Sequence, residues 1–156
     1  MLKTVKASTD RLKGACYAIV ASQYNGEYVE AMLAGAVAAL EKSGAQEIKV
    51  VRVPGAFEIP VVAAALAAFE EPVYEAVICL GVILRGQTTH AEHIGRGVTE
   101  ALIELQIRGG VPMIHEVLLL ENEDQAKARC LDPKHNRGTE AAQTAIAMAG
   151  IMRGLE

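Results

Sequence analysis

Four short, almost wholly apolar runs punctuate the chain, at residues 15–21 (ACYAIVA), 48–53, 76–84 (AVICLGVIL) and 112–120. A run that is apolar on both faces suits a strand of a buried parallel sheet better than the half-wet strand of a hairpin. The segments between these runs carry helical spacing instead. Across residues 28–40, Val29, Met32, Leu33, Ala36, Val37 and Leu40 fall at i, i+3, i+4, i+7, i+8 and i+11. They form one apolar stripe, which Gly44 can end. Residues 59–69 predict a second helix with Pro60 in its first turn, where proline is tolerated. A third helix spans residues 90–107 and closes at Gly109 and Gly110, before Pro112. A shorter fourth starts near residue 121 and stops before Pro133, and a fifth covers residues 138–152. Strands alternating with helices predict an α/β fold with right-handed crossovers: a flavodoxin-like, three-layer α/β/α sandwich around a mainly parallel four-stranded sheet.

The chain has 156 residues, of which 51% are hydrophobic and 22% charged, a balance that fits one domain over residues 14–156. Residues 1–13 are polar and read as an N-terminal arm, loose or docked on a neighbouring subunit. No apolar run approaches the about 20 residues needed to span a bilayer, and the start does not resemble a signal peptide. A cytoplasmic protein without a membrane partner is expected. Cys16, Cys79 and Cys130 are widely spaced, so they form neither a disulfide framework nor a metal clip and read as small buried hydrophobes. The net charge of −4, without a Lys/Arg block, argues against a nucleic-acid partner and for small molecules.

In doubly wound sheets, ligands bind beyond the carboxyl ends of the strands. After the first run comes Ser22-Gln23-Tyr24-Asn25-Gly26, where Tyr24 can cap the core or offer a flat platform to a planar ligand. After the second, Gly55 allows close approach of the backbone, and Phe57 and Glu58 sit at a helix start. Glu58 can simply complement the helix dipole, or it can bind hydroxyls of a polar ring. The third run leads into Arg85-Gly86-Gln87-Thr88-Thr89-His90. Free N–H groups at the helix start can seat a phosphate there, although an ordinary threonine cap reads the same way. His90, directly beside that seat, is a candidate general acid/base or simply a solvated residue. His90 and His93 with Glu92 give only a weak metal signal, without a third ligand at diagnostic spacing. Arg129 and Arg137 bring phosphate-binding chemistry near the last helices, or else a solvated basic face.

In this order, VPGAFEIP (residues 53–60), GVILRGQTTH (81–90), QAKAR (125–129) and NRGTEAA (136–142) resemble the 6,7-dimethyl-8-ribityllumazine synthase family of riboflavin biosynthesis. The resemblance covers nearly the whole chain from Ala15. It implies condensation of 5-amino-6-(D-ribitylamino)uracil with 3,4-dihydroxy-2-butanone 4-phosphate, releasing phosphate and water, with no cofactor and no metal. Carried over residue by residue, Tyr24 stands where an aromatic stacks on the pyrimidine. Phe57 and Glu58 stand where the ring edge and ribityl hydroxyls are held. Asn25, Ala56, Gly81, Val82, Ile83 and His115 are implied as further substrate contacts. Gln87 and Thr88 match the phosphate-cradling turn and His90 the proton-transfer histidine. Arg129 matches the arginine on the butanone phosphate, and Arg137, also on the phosphate side, replaces a usual lysine. His115 and Glu116 replace a typical Phe-Gly after the fourth strand, so Glu116 brings a negative charge near the phosphate.

The resemblance further implies a homopentamer with sites shared between adjacent subunits, and in some members a shell of twelve pentamers. Two alternatives remain: a lumazine- or flavin-binding or shell-forming relative without turnover, and a metal-dependent hydrolase using His90 and His93.

Overall fold

The computed structural model describes residues 12–156, so the expected arm, up to residue 11, lies outside the described residues. Four parallel strands, β1 (Cys16–Ser22), β2 (Glu47–Val53), β3 (Ala76–Leu84) and β4 (Met113–Leu120), form one sheet in the order β2-β1-β3-β4. The helices are α1 (Gly26–Lys42), α2 (Ile59–Ala67), α3 (His90–Gly109), α4 (Glu123–Ala126) and α5 (Arg137–Arg153). A single 3-10 turn, Ala56–Glu58, leads into α2. Every predicted strand and helix is present, and the fold is a flavodoxin-like three-layer α/β/α sandwich.

Alternation along the buried strands divides the core. Tyr17, Ile19 and Ala21 of β1, with Ile78 and Leu80 of β3, pack against the stripe of α1 and the alanines of α5. Ala18, Val20, Val77 and Cys79 point the other way, onto α2 and α3. All three cysteines are buried and unpaired, as the sequence predicts. Burial pushes the Cys79 thiol up to about 12, so it stays protonated. No helix among the described residues is long and apolar enough to cross a membrane.

Glycines end two helices as the pattern predicts: Gly44 at φ +85° follows α1, and Gly110 at φ +67° caps α3, its N–H donating to Gln106 O at 3.0 Å. The fourth helix departs from expectation. Asn122 caps it by accepting from Gln125 N–H at 2.9 Å, but after one turn it widens into a π-helical turn, Lys127–Leu131. The turn ends at Asp132, which is extended as a residue before proline should be.

Helices α1 and α5 approach each other closely. Asn136, the N-cap of α5, accepts from Gly138 N–H at 2.8 Å and Thr139 N–H at 3.2 Å. Its amide donates to Ala31 O and Cys130 O, both at 2.9 Å, so one side chain ties together α1, the π-turn and α5. Gly138 lies against the α1 backbone so closely that a Cβ there would sit 1.8 Å from Met32 O. The obstacle is main chain and cannot rotate away. Gly138→Ala is therefore expected to destabilise the protein by about 3 kcal/mol or more. Gly109→Ala, which meets nothing within 4 Å, should change stability by less than about 1 kcal/mol. Denaturant midpoints of the two variants check this; equal midpoints would contradict the packing described.

Candidate active site

Strand order reverses between β1 and β3, and the chain leaves these two strands toward opposite faces of the sheet, opening a crevice at their carboxyl ends. Asn25 stitches that crevice. It caps α1 in the left-handed conformation, at φ +56°, and its Nδ2 donates to Val82 O on β3 at 2.7 Å. The turn after β1 is also fastened to the end of β2: Gln23 N–H donates to Val53 O at 2.8 Å, and Tyr24 N–H to Pro54 O at 3.1 Å.

Tyr24 does not cap the core, since 68% of it is exposed. Its ring instead lies on the backbone of Gly55, where a Cβ would fall 2.9 Å from Tyr24 Cδ2. A glycine is thus required for the ring to settle. One Glu58 carboxylate oxygen accepts from Gly55 N–H at 2.9 Å, fixing the same turn. Phe57 beside it is 64% exposed, whereas Ala56 is buried. Two aromatic rings and a carboxylate therefore rim the ends of β1 and β2, while Gly81, Val82 and Ile83 form the end of β3.

Gln87, Thr88, Thr89 and His90 are all exposed between β3 and α3. Thr89 occupies the N-cap of α3 but its side chain makes no capping bond. It lies 3.3 Å from His93 Nε2 instead. His90 N–H donates to Thr88 Oγ1 at 3.3 Å. Among the described residues, no group of three or more His, Cys, Asp or Glu side chains is arranged to hold a metal ion.

A second group of candidates lies elsewhere. His115 and Glu116 are inside β4 and not after it, opposite Cys79 and Leu80 of β3. That corrects the expectation that they follow the fourth strand. Leu120 pairs with Leu84, so His115 sits five residues, about 16 Å, below the carboxyl end. Its side chain faces α3. His115 Nδ1 accepts from Val117 N–H at 3.2 Å, which leaves the ring proton on Nε2, 2.7 Å from Thr99 Oγ1. Thr99 passes its own proton to Gly95 O at 2.8 Å. Both ring nitrogens are thus committed, and partial burial lowers the histidine's pKa from its ordinary value.

Glu116 faces the opposite side of the sheet, toward α5. Burial raises its carboxyl to about 7, against the pull of Arg137 and Arg129, with Glu140 adding to the rise. Arg137 donates to Glu140 at 2.6 Å. His115, Glu116, Arg129 and Arg137 therefore line the β4 side of the molecule. Among the described residues, no hydrogen bond or ion pair links them to the group formed by Tyr24, Asn25, Phe57, Glu58, Gln87, Thr88 and His90.

Ser22 is a position of interest that sequence reasoning passed over. It ends β1 inside the crevice, its hydroxyl buried without a partner among the described residues. A Cβ on Gly81 would come within 3.2 Å of that oxygen. The available signal was a hydroxyl as the last residue of an otherwise apolar strand at the switch point.

Comparison with known proteins shows the family. The sequence profile described as 6,7-dimethyl-8-ribityllumazine synthase matches residues 14–153. A protein of that name from Stenotrophomonas maltophilia (strain R551-3) is 39% identical over 145 residues, 92% of either chain. One from Syntrophus aciditrophicus (strain SB), of the same name, is 40% identical over 143 residues, 90% of this chain and 92% of its own. The chain belongs to the 6,7-dimethyl-8-ribityllumazine synthase family, transferases of riboflavin biosynthesis.

Proposed function

We propose that this chain condenses 5-amino-6-(D-ribitylamino)uracil with 3,4-dihydroxy-2-butanone 4-phosphate to 6,7-dimethyl-8-ribityllumazine, releasing phosphate and water. The observation that carries the reading is the Tyr24 ring seated on Gly55, beside Phe57 and Glu58, at the crevice whose other wall leads into residues 87–90. Tyr24 stacks on the pyrimidine. Phe57, Glu58 and the neighbouring backbone, with Asn25 and Ala56, hold its edge and the ribityl chain, and residues 81–83 line the β3 side. Gln87 and Thr88 receive the phosphate at the start of α3, where the dipole and free N–H groups favour an anion. His90 carries protons during imine formation, loss of phosphate and ring closure. No residue need act as a nucleophile, because holding two reactants together supplies several kcal/mol of the barrier.

Among the described residues, Arg129 and Arg137 make no hydrogen bond or ion pair with the residues of that crevice, so we assign their role to a site completed by a second subunit. In the proposed cytoplasmic homopentamer, an adjoining subunit brings Arg129, Arg137 and the His115 ring to the open crevice. Mixing the two substrates and following lumazine absorbance with phosphate release tests the reading. Product binding without turnover would favour a non-catalytic relative. Glu116 is the observation on that side, since its negative charge near Arg129 and Arg137 weakens a phosphate seat. Its raised pKa leaves the carboxyl about half neutral at pH 7, which softens the objection.

His90→Ala is expected to lower kcat by about 10²- to 10⁴-fold with the assembly intact, as removal of a positioned acid/base does. Unchanged steady-state rates would remove His90 from the mechanism. Arg129→Ala should raise KM for the phosphorylated substrate by about 10- to 100-fold, the value of a charged hydrogen bond, and leave KM for the pyrimidine unaltered. Equal effects on both would show the assignment to be wrong. Glu116 adds a pH dependence of stability. With its carboxyl raised from 4.5 to about 7, its stabilising contribution is present in full below pH 4.5 and lost as pH rises through 7. Glu116→Gln should therefore match the wild type near pH 4.5 and exceed it at pH 8 by on the order of 2 kcal/mol. Parallel stability curves from pH 4.5 to 8 would show that the group is not shifted.

A further inference from the structure

Arg85 is the first residue past β3 and directly precedes the turn of residues 86–90. Its guanidinium is paired on two sides: with Glu92 in the first turn of α3, and with Glu121, just past β4, at 3.1 Å. Its main-chain N–H donates to Leu120 O at 2.8 Å. The entrance of the turn is thus bonded to β4, and its exit is held through Glu92 by the same side chain. Glu121 in turn donates its N–H to Gln125 Oε1 at 2.9 Å, which orders α4, the helix that runs into the π-turn bearing Arg129. One guanidinium connects the proposed phosphate turn to the segment that carries the proposed phosphate arginine.

Pairs between partly exposed side chains contribute little to folding stability. What this trio sets is position and charge. Glu92 and Glu121 bring two carboxylates beside a turn that is to receive a phosphate, and like charges near a protein surface repel by about 1 kcal/mol or more. A guanidinium between them offsets that charge, and its planar fork fixes their directions as an ammonium cannot. Each Nη group already serves one carboxylate, so Arg85 acts through its neighbours.

We infer that Arg85 is a positioning residue for the phosphorylated substrate: it holds the turn of residues 86–90 in its binding shape and screens Glu92 and Glu121 from the phosphate. The inference rests on the proposed function. Its test uses the assembled full-length protein and two readouts, titration with inorganic phosphate followed by ³¹P NMR, which needs no turnover, and steady-state kinetics. Arg85→Ala is expected to weaken phosphate binding and raise KM for the phosphorylated substrate by about tenfold, with KM for the pyrimidine and the assembly size unchanged. Adding Glu92→Gln to that variant should recover part of the loss, a rescue that a purely structural defect would not show. Should R85A fail to assemble, R85K carries the test, with an expected loss of about threefold because the charge remains without the fork. Phosphate affinity unaltered in the assembled variant, or both KM values shifting together, would overturn the inference. A wild type that binds phosphate in an Arg85-dependent way yet makes no lumazine would sink the proposed function alone.

Discussion

The reversal of strand order between β1 and β3 is the constraint on which the rest of the structure depends. Because β2 lies on one side of β1, and β3 and β4 on the other, the chain leaves β1 for α1 on one face and β3 for α3 on the opposite face. The two exits part, and no backbone fills the space between them. Asn25 keeps that space at a fixed width by reaching from the start of α1 to Val82 O. The rim is then furnished by whatever residues follow the strands, and in this chain they are two exposed rings, a carboxylate, threonines and a histidine.

The second group of polar residues depends on a different constraint, the approach of α1 to α5. With Gly138 against Met32 O and Asn136 bonded to Ala31, Cys130, Gly138 and Thr139, the π-turn and the start of α5 form one rigid corner. Arg129 and Arg137 belong to that corner, and both pull the Glu116 carboxyl down against its burial. Among the described residues, no hydrogen bond or ion pair joins these arginines to the turn of residues 86–90. This is the physical reason for reading the site as one that two subunits share.

Much of the fold was legible because buried parallel strands are apolar on both faces, so 15–21 and 76–84 stood out without ambiguity, and glycines marked the ends of α1 and α3. The π-turn was not legible, since it arises from the Asn136 amide bonding Cys130 O and from the burial of Cys130, contacts made across the chain. His115 and Glu116 were expected past β4 only through the family resemblance, although the apolar run 112–120 already contained both. On an edge strand they fit inside it, one satisfied by Thr99 and the Val117 N–H, the other facing arginines. Motif order gave the residues of the crevice rim.

A crystal structure of the assembled protein with an analogue of the lumazine product and inorganic phosphate tests the shared site most directly. The account predicts the heterocycle on the Tyr24 ring, with phosphate between the turn at Gln87 and Thr88 and an Arg129 supplied by the adjoining subunit. Phosphate held by turn and arginine of the same chain, or a heterocycle seated away from Tyr24, would contradict it.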